Sequence, residues 1–291
     1  MPKFLVAVAV LAVLFANAEV ARADRAGPSP VPERAIKAEI VVVGKVTGIE
    51  KEAVQALPYP GATAKAAYQI ATVKIDTGLV GADKIKEVRV GFISRANAAA
   101  PRRGWNDFEF KEGQELVMFL SKHPTGDFHI TTWMYPPLDP KTEEGKRDLE
   151  TVKRIAAVIA DPAKALKSDK PEVRAEAAAI VVLKYRQTTP FGGVTEQVPI
   201  PVEESKMLLK ALTEGNWSFQ GFRYNSELNP YAAFQSLGLS DKDGWIPPVI
   251  VNTPGAPPVD FGAVQRDAFA KWLAGPGKDY IIKKIVPKAA K

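Results

Sequence analysis

The sequence predicts an α+β protein in which a small antiparallel β-barrel over residues 35–138 is followed by an all-helical domain over residues 139–291. Two observations support this prediction. The first half consists of short segments rich in β-branched residues with turn residues between them, a pattern typical of small barrels and sandwiches. From residue 139 onward, apolar residues recur instead at helical spacing.

The strands of the first half are predicted from their apolar patterns. Residues 40–43 are consecutively apolar, which indicates a strand buried on both faces. Residues 67–76 alternate, so that Tyr68 and Ile70 face one way and the residues next to them face the other. Further strands are expected within 85–93, 115–120 and 128–133. We therefore predict five or six short strands.

The helices of the second half are predicted from periodicity and from their end signals. We expect helices within residues 140–160, 171–183, 203–212, 229–238 and 261–274. Asp139 can cap the first of these helices, with Pro140 in its first turn. Residues 279–286 are interpreted as a last short helix.

The residue pattern at the N-terminus predicts that the protein is exported. An apolar run over residues 4–15 follows Lys3, and small residues follow it at Ala18 and at Ala23. The run is too short to span a bilayer, which takes about 20 apolar residues. We therefore predict a signal peptide over residues 1–23, cleaved after Ala23 or alternatively after Ala18, and a secreted or periplasmic protein. Residues 24–34 are proline-rich and are predicted to be an extended leader.

Composition excludes several classes of function. The chain has no cysteine, which excludes disulfides, thiol nucleophiles and cysteine–zinc sites and favours a bacterial envelope protein. Its net charge of +6 is spread thinly. The densest basic stretches, residues 101–103 and 280–284, are too small for a nucleic-acid groove. We predict no nucleic-acid partner and no membrane span in the mature chain.

Catalytic and metal motifs are missing from the sequence. It contains no His-Glu-x-x-His, no Gly-x-Ser-x-Gly and no phosphate-binding loop. A zinc site would need His123, His129 and a carboxylate such as Asp127, and their spacing imposes no such geometry. We interpret both histidines as surface or strand-edge residues. Residues 241–244 lack the further ligands of a calcium loop and predict a tight turn. We predict no catalytic residue, no metal ligand and no cofactor.

One segment of the second half resembles a known repeat family. Residues 168–178, Ser-Asp-Lys-Pro-Glu-Val-Arg-Ala-Glu-Ala-Ala, resemble the opening of the second helix of a HEAT-type repeat. The resemblance implies that Val173 lies in the core and that Ala177 and Ala178 allow close helix packing. No second copy occurs at the spacing of about 40 residues that a solenoid requires. We therefore expect a helical bundle or a degenerate array.

The first half resembles a second family in the order and residue composition of its strands. Residues 40–45, 68–75, 88–92 and 113–120 are similar to strands of the OB-like barrel in the netrin and tissue-inhibitor-of-metalloproteinases group. The resemblance implies an OB-like fold that binds partners. Protease inhibition in that group depends on an N-terminal cysteine, which this chain lacks.

The candidate binding residues are aromatic side chains and one arginine. They are Arg103, Trp105, Trp133, Trp217, Phe219, Phe222 and Tyr224. Such residues form sugar- or peptide-binding faces, or alternatively fill the seam between two domains.

We predict an exported, non-enzymatic binding or scaffold protein whose partner is another envelope or extracellular protein. The alternative is an exported hydrolase that uses a carboxylate pair in an inter-domain cleft flanked by Trp217 and Phe222.

Export can be checked on the N-terminus of the purified protein. We expect the full chain, expressed in a bacterium, to be recovered outside the cytoplasm in a shortened form that begins at Asp24 or, alternatively, at Glu19. Mass spectrometry and N-terminal sequencing measure this start. An Ala23→Leu variant should move the cut to Ala18, because the peptidase requires a small residue before the cleaved bond. Recovery of only the intact chain from the cytoplasm would contradict the prediction.

Overall fold

The computed structural model describes residues 28–93, 108–131, 134–188, 191–218, 228–250 and 259–288. The predicted signal peptide lies outside these ranges. The elements of the first half are α1 (Val31–Lys37), β1 (Ile40–Ile49), β2 (Val54–Ala56), β3 (Ala66–Val80), β4 (Glu87–Phe92), β5 (Glu115–Lys122) and β6 (His129–Ile130). Those of the second half are α2 (Glu143–Ala160), α3 (Pro162–Leu166), α4 (Pro171–Arg186), β7 (Thr195–Pro199), α5 (Val202–Thr213), α6 (Pro230–Leu237), α7 (Phe261–Ala274) and β8 (Lys283–Pro287).

Six strands of the first half form one sheet. Its strand order is β1-β5-β6-β4-β3-β2, and β1 also pairs with β3. β4 and β6 run parallel, with Val90 opposite His129 and Gly91 opposite Ile130, whereas the other described pairings are antiparallel. Successive parts of the long strand β3 pair with β2, β4 and β1.

The predicted fold class is wrong. The strands lie in a six-stranded sheet rather than in a closed antiparallel barrel, one described pairing is parallel, and the second half contains strands as well as helices. The chain is therefore a mixed α and β protein. The cause of the error is that strand pairing joins residues distant in sequence. The pattern of one strand does not specify which strand lies beside it or in which direction that strand runs.

The two faces of the sheet pack against different partners. On one face, Val41 and Phe119 pack with Ile36 of α1, Ile155 of α2 and Ile180 of α4. The adjacent strand residues point to the other face and form a second cluster, which includes Ile40, Val42, Val73, Val90, Met118 and Leu120. This alternation is what a pleated strand covered on both faces requires. The prediction that β1 begins as a strand buried on both faces is confirmed.

Helix α4 is the centre of the second half. It packs against α3, α5 and α6, and also against α1 and α2. Its buried residues are Ala175, Ala177, Ala178, Ala179, Ile180, Val181 and Val182. Because these residues are nearly consecutive, they cover every side of the helix, as is typical of a buried helix. The small alanine side chains let the neighbouring helices approach α4 closely.

The five helices predicted in the second half are confirmed, as α2, α4, α5, α6 and α7. Their ends differ slightly from the prediction. The N-cap of α2 is Thr142 rather than Asp139, since the Thr142 hydroxyl accepts a hydrogen bond of 2.9 Å from the backbone N–H of Gly145. Val173, expected in the core, is 37% exposed, whereas Ala177 and Ala178 are buried as expected. Val173 lies in the first turn of α4, before the helix enters the core.

Two segments differ in kind from the prediction. Residues 279–286 do not form a helix, because they contain most of β8, which pairs antiparallel with β7. β7 has no strong sequence signal, and three helices separate it from its partner. The predicted extended leader ends early, since α1 begins at Val31 with Pro32 in its first turn. Packing of Ile36 against the sheet stabilises this short helix.

Lys184 of α4 joins the second half to the first. Its ammonium group donates hydrogen bonds to the carbonyl oxygens of Ile36 and Ala38, at 2.9 and 2.8 Å. These carbonyls lie at the C-terminal end of α1, where unpaired carbonyls and the helix dipole favour a cation. Burial lowers the pKa of Lys184, and the charge of Glu39 opposes that shift.

A Lys184→Met variant tests this link. Methionine keeps the apolar stem but removes the donor, so we expect the free energy of unfolding to fall by about 1–3 kcal/mol. Urea unfolding followed by circular dichroism measures the change. The control is Lys164→Met on the exposed surface of α3, which should change stability by less than about 0.5 kcal/mol. Equal effects of the two substitutions would show that Lys184 does not hold the halves together.

Candidate functional site

A groove of about 1290 Å³ lies between the first described residues, the segment 134–139, α2 and the start of α4. Its lining includes prolines from three parts of the chain, Pro28, Pro30, Pro32, Pro136, Pro137 and Pro230. The proline ring fixes φ, so these walls lose little conformational freedom when a ligand binds. The size of the groove and its place between the two halves make it the candidate site.

Arg34 holds two walls of the groove together. This buried side chain donates from Nε to the carbonyl oxygen of Ser29 at 2.6 Å, and from Nη1 to that of Pro136 at 3.1 Å. Its guanidinium also lies 5.9 Å from the ring centroid of Phe119, within range of a cation–π interaction. Burial lowers the pKa of Arg34, while the charges of Asp148 and Glu144 oppose that shift. The guanidinium thus joins the leader to the segment 134–139.

Backbone hydrogen bonds fix the same two walls. The N–H of Ser29 donates to the carbonyl of Met134 at 2.9 Å. Val117 of β5 and Leu138 exchange two backbone hydrogen bonds, each of 2.9 Å. The segment 134–139 is thus attached to the sheet on one side and to the leader on the other, so the groove is formed before any ligand binds.

Carboxylates outnumber cations along the groove. Its ionisable lining residues are Glu33, Asp139, Glu144, Asp148, Glu172, Glu176, Arg34, Arg147 and Arg154. Arg154 is paired with Glu176, and Glu33 with Lys37, which leaves four carboxylates against Arg34 and Arg147. The groove is therefore negatively charged, although the chain as a whole carries +6. A site of this charge attracts basic ligands.

Asp148 and Glu144 lie one turn apart on α2, and both line the groove. Residues at i and i+4 are neighbours on a helix surface. Burial raises the pKa of Asp148, and Glu144 raises it further, while Arg34 and Arg147 oppose the shift. A carboxyl group with a raised pKa in a cleft can contact a ligand or donate a proton.

Six of the candidate binding residues predicted from the sequence lie outside the described residues. They are Arg103, Trp105, Trp133, Phe219, Phe222 and Tyr224. Trp217 is described and is fully buried. Its Nε1 donates to the carbonyl of Leu212 at 2.8 Å, and its ring contacts Phe234 and Phe269. Trp217 thus packs in the core of the second half rather than on an exposed face, and it does not flank the groove.

The histidines and the acidic turn at 241–244 lie apart from the groove. No group of three or more His, Asp and Glu residues in the described part of the chain could hold a metal ion. His123 is buried rather than on the surface as predicted, while His129 lies in a strand. The predicted tight turn at 241–244 is confirmed as a single 3₁₀ turn closed by a capping box of Ser240 and Asp243.

Sequence reasoning missed the residues that build the groove. Glu144 and Asp148 share one helix face by their spacing, so their proximity was available from the sequence. No sequence signal showed that Arg34 would be buried, because its two partners are backbone carbonyls, one of them 102 residues away. Backbone carbonyls occur at every residue, so a hydrogen bond to them leaves no pattern in the sequence.

No known protein family matches the chain, and no curated protein is significantly similar to it in sequence. Among the helices in the described ranges, none is long and apolar enough to cross a membrane. The fold and the site therefore define the class: a mixed α and β protein with an acidic, proline-lined groove between its two halves.

Proposed function

We propose that the chain is an exported, non-enzymatic binding protein that holds a basic, extended segment of another envelope or extracellular protein in this groove. The observation that carries the proposal is the contrast of charge. The groove is acidic, while the chain as a whole is basic. A cationic segment gains attraction in the groove and is repelled elsewhere, which favours a specific orientation over general surface binding.

The dimensions of the groove favour a chain segment over a small molecule. Pockets for small molecules measure about 300–1,000 Å³ and enclose most of the ligand. This groove exceeds that range at about 1290 Å³ and extends from the leader to the α5–α6 connection at Gly215 and Asn216. A long site with pre-formed walls suits an extended peptide, which loses much entropy on binding and gains most from a rigid partner.

Export supports the choice of partner. The predicted signal peptide would place the protein where its partners are other exported chains. The leader that follows the signal forms one wall of the groove, through Pro28, Ser29 and Pro30. We propose that the groove takes its final form only in the processed, exported chain.

Peptide binding tests this function. The probe is a fluorescently labelled peptide of alternating lysine and proline, compared with its glutamate–proline counterpart by fluorescence anisotropy. We expect the basic peptide to bind more tightly and its affinity to fall with added salt. Glu144→Gln with Asp148→Asn should weaken binding by about three- to tenfold, because two attractive charges are lost.

The matched control removes two charges from the same helix outside the groove. Glu143 and Glu150 pair with Lys146 and Lys153 on the exposed surface of α2, and neither lines the groove. Glu143→Gln with Glu150→Gln should leave affinity nearly unchanged. The proposal fails if both peptides bind equally well, or if the control weakens binding as much as the groove variant.

One observation favours a second function, an exported hydrolase. Asp148 has a raised pKa and a neighbouring carboxylate in Glu144, the combination that general acid catalysis by a carboxyl pair uses. If this function holds, chromogenic glycosides should be hydrolysed with an acidic pH optimum, and Asp148→Asn should abolish turnover. Absence of turnover in the unmodified protein would leave the binding function as the conclusion.

A further inference from the structure

His123 lies in an aromatic cluster of the sheet that is separate from the groove. The side chain is only 2% exposed. Its ring stacks on Phe128 with centroids 4.5 Å apart and meets the ring of Tyr68 edge-on at 4.9 Å. Phe191 covers a further side at 6.2 Å. This apolar setting disfavours a positive charge on the imidazole.

The hydrogen bonds of His123 require its neutral form. Nδ1 accepts hydrogen bonds from the backbone N–H of Gly126 at 2.9 Å and from that of Thr125 at 3.3 Å. An acceptor nitrogen carries no proton, so the hydrogen of the neutral ring is on Nε2. Nε2 is buried and has no hydrogen-bond partner among the described residues. Protonation would place a hydrogen on Nδ1 opposite two donors and a buried charge among aromatic rings.

These hydrogen bonds hold the turn 123–128, which closes the β5–β6 hairpin. His123 N–H donates to the carbonyl of Phe128 at 2.9 Å, and the Thr125 hydroxyl donates to that of Leu57 at 3.1 Å. β6 has two residues, and they pair with β5 on one side and β4 on the other. Such a short strand keeps its place only while the turn that precedes it keeps its shape.

Within the described residues, no charged group raises the pKa of His123. Arg89 of β4 donates to the carbonyl of Asp127 at 3.1 Å. It also donates to the two carboxylate oxygens of Glu50, at 2.8 and 3.0 Å, and forms an ion pair with that group. On the hairpin itself, burial lowers the pKa of His129, a shift that the charges of Glu39 and Asp127 oppose and that of Lys122 reinforces. Tyr68 stays neutral at ordinary pH, because burial raises its pKa to about 12. Burial is the cause that lowers the pKa of His123.

We infer that His123 is an acid-sensitive latch: its neutral ring holds the turn 123–128 and keeps β6 between β4 and β5, and its protonation opens the turn and releases β6. The direction of this pH dependence follows from the linkage between protonation and the stability of the turn. A folded-state pKa below the ordinary value of about 6.5 stabilises the turn above that pH, and the stabilisation is lost as pH falls from about 6.5 to the folded-state pKa. The inference does not depend on the proposed function of the groove.

Hydrogen exchange on the mature chain tests the latch between about pH 7.5 and 4.5. Protection factors of the amides in residues 122–131 should fall by about tenfold per pH unit below 6.5, down to the folded-state pKa. Those in residues 40–45 of β1 should stay nearly constant. The Glu50–Arg89 pair does not contribute in this range, because the hydrogen bond from Arg89 lowers the pKa of Glu50.

Two variants separate the latch from other acid effects. The first is made in the His129→Gln background, because burial also lowers the pKa of His129 in β6. In that background, the side-chain oxygen introduced by His123→Asn can accept the same two hydrogen bonds and does not titrate, so the pH dependence of residues 122–131 should disappear. His129→Gln removes the other histidine and should leave that dependence in place. The latch is refuted if the unmodified chain keeps its protection to pH 4.5, or if the double variant loses protection at the same pH as His129→Gln alone.

A second measurement covers the case in which His123→Asn does not fold. In His129→Gln, His123 is the single histidine of the chain, so its imidazole signal can be followed by nuclear magnetic resonance against pH. A midpoint below about 6.5, coincident with the loss of protection in residues 122–131, supports the latch. A midpoint at or above that value overturns it.

Discussion

The burial of α4 constrains the rest of the structure. Ile180 of this helix packs against the sheet, while Ala177, Ala178 and Val182 pack in the core of the second half. One helix thus belongs to two cores, and neither half can move relative to it without losing packing. Side chains larger than alanine at these positions would force the surrounding helices apart, which costs free energy in a core of native density.

The position of α4 also determines where the groove lies. Glu172, Ala175 and Glu176, on the first turns of α4, line it from one side. Lys184, at the other end of the same helix, is attached to α1, whose first residues form another wall. The groove is therefore built across both halves rather than within one of them. Its charge results from the carboxylates that these walls share, which outnumber the lining arginines Arg34, Arg147 and Arg154.

The sequence predicted those features that depend on neighbouring residues. Capping residues, proline positions and helical periodicity located the helices, and Ala177 and Ala178 are buried as expected. The strands of the first half were located for a similar reason, since β-branched residues and alternation are local signals. Within the site, the pairing of Glu144 with Asp148 was accessible from spacing alone. The aromatic residues chosen as binding candidates were a weaker inference, because burial decides whether such side chains face solvent or core, and Trp217 is fully buried.

By itself, the sequence determined the order of most strands and helices and the absence of cysteine chemistry, because each of these is a property of contiguous residues or of composition. Only the tertiary structure decided that the sheet contains a parallel pair, that β7 meets β8, that Arg34 and Lys184 bind carbonyls of distant segments, and that the carboxylates gather along one groove. The reason is that these features arise from contacts between residues far apart in the chain. Backbone N–H and C=O groups are the same at almost every position of any sequence. The sequence therefore does not show which of them will pair with a given side chain or strand.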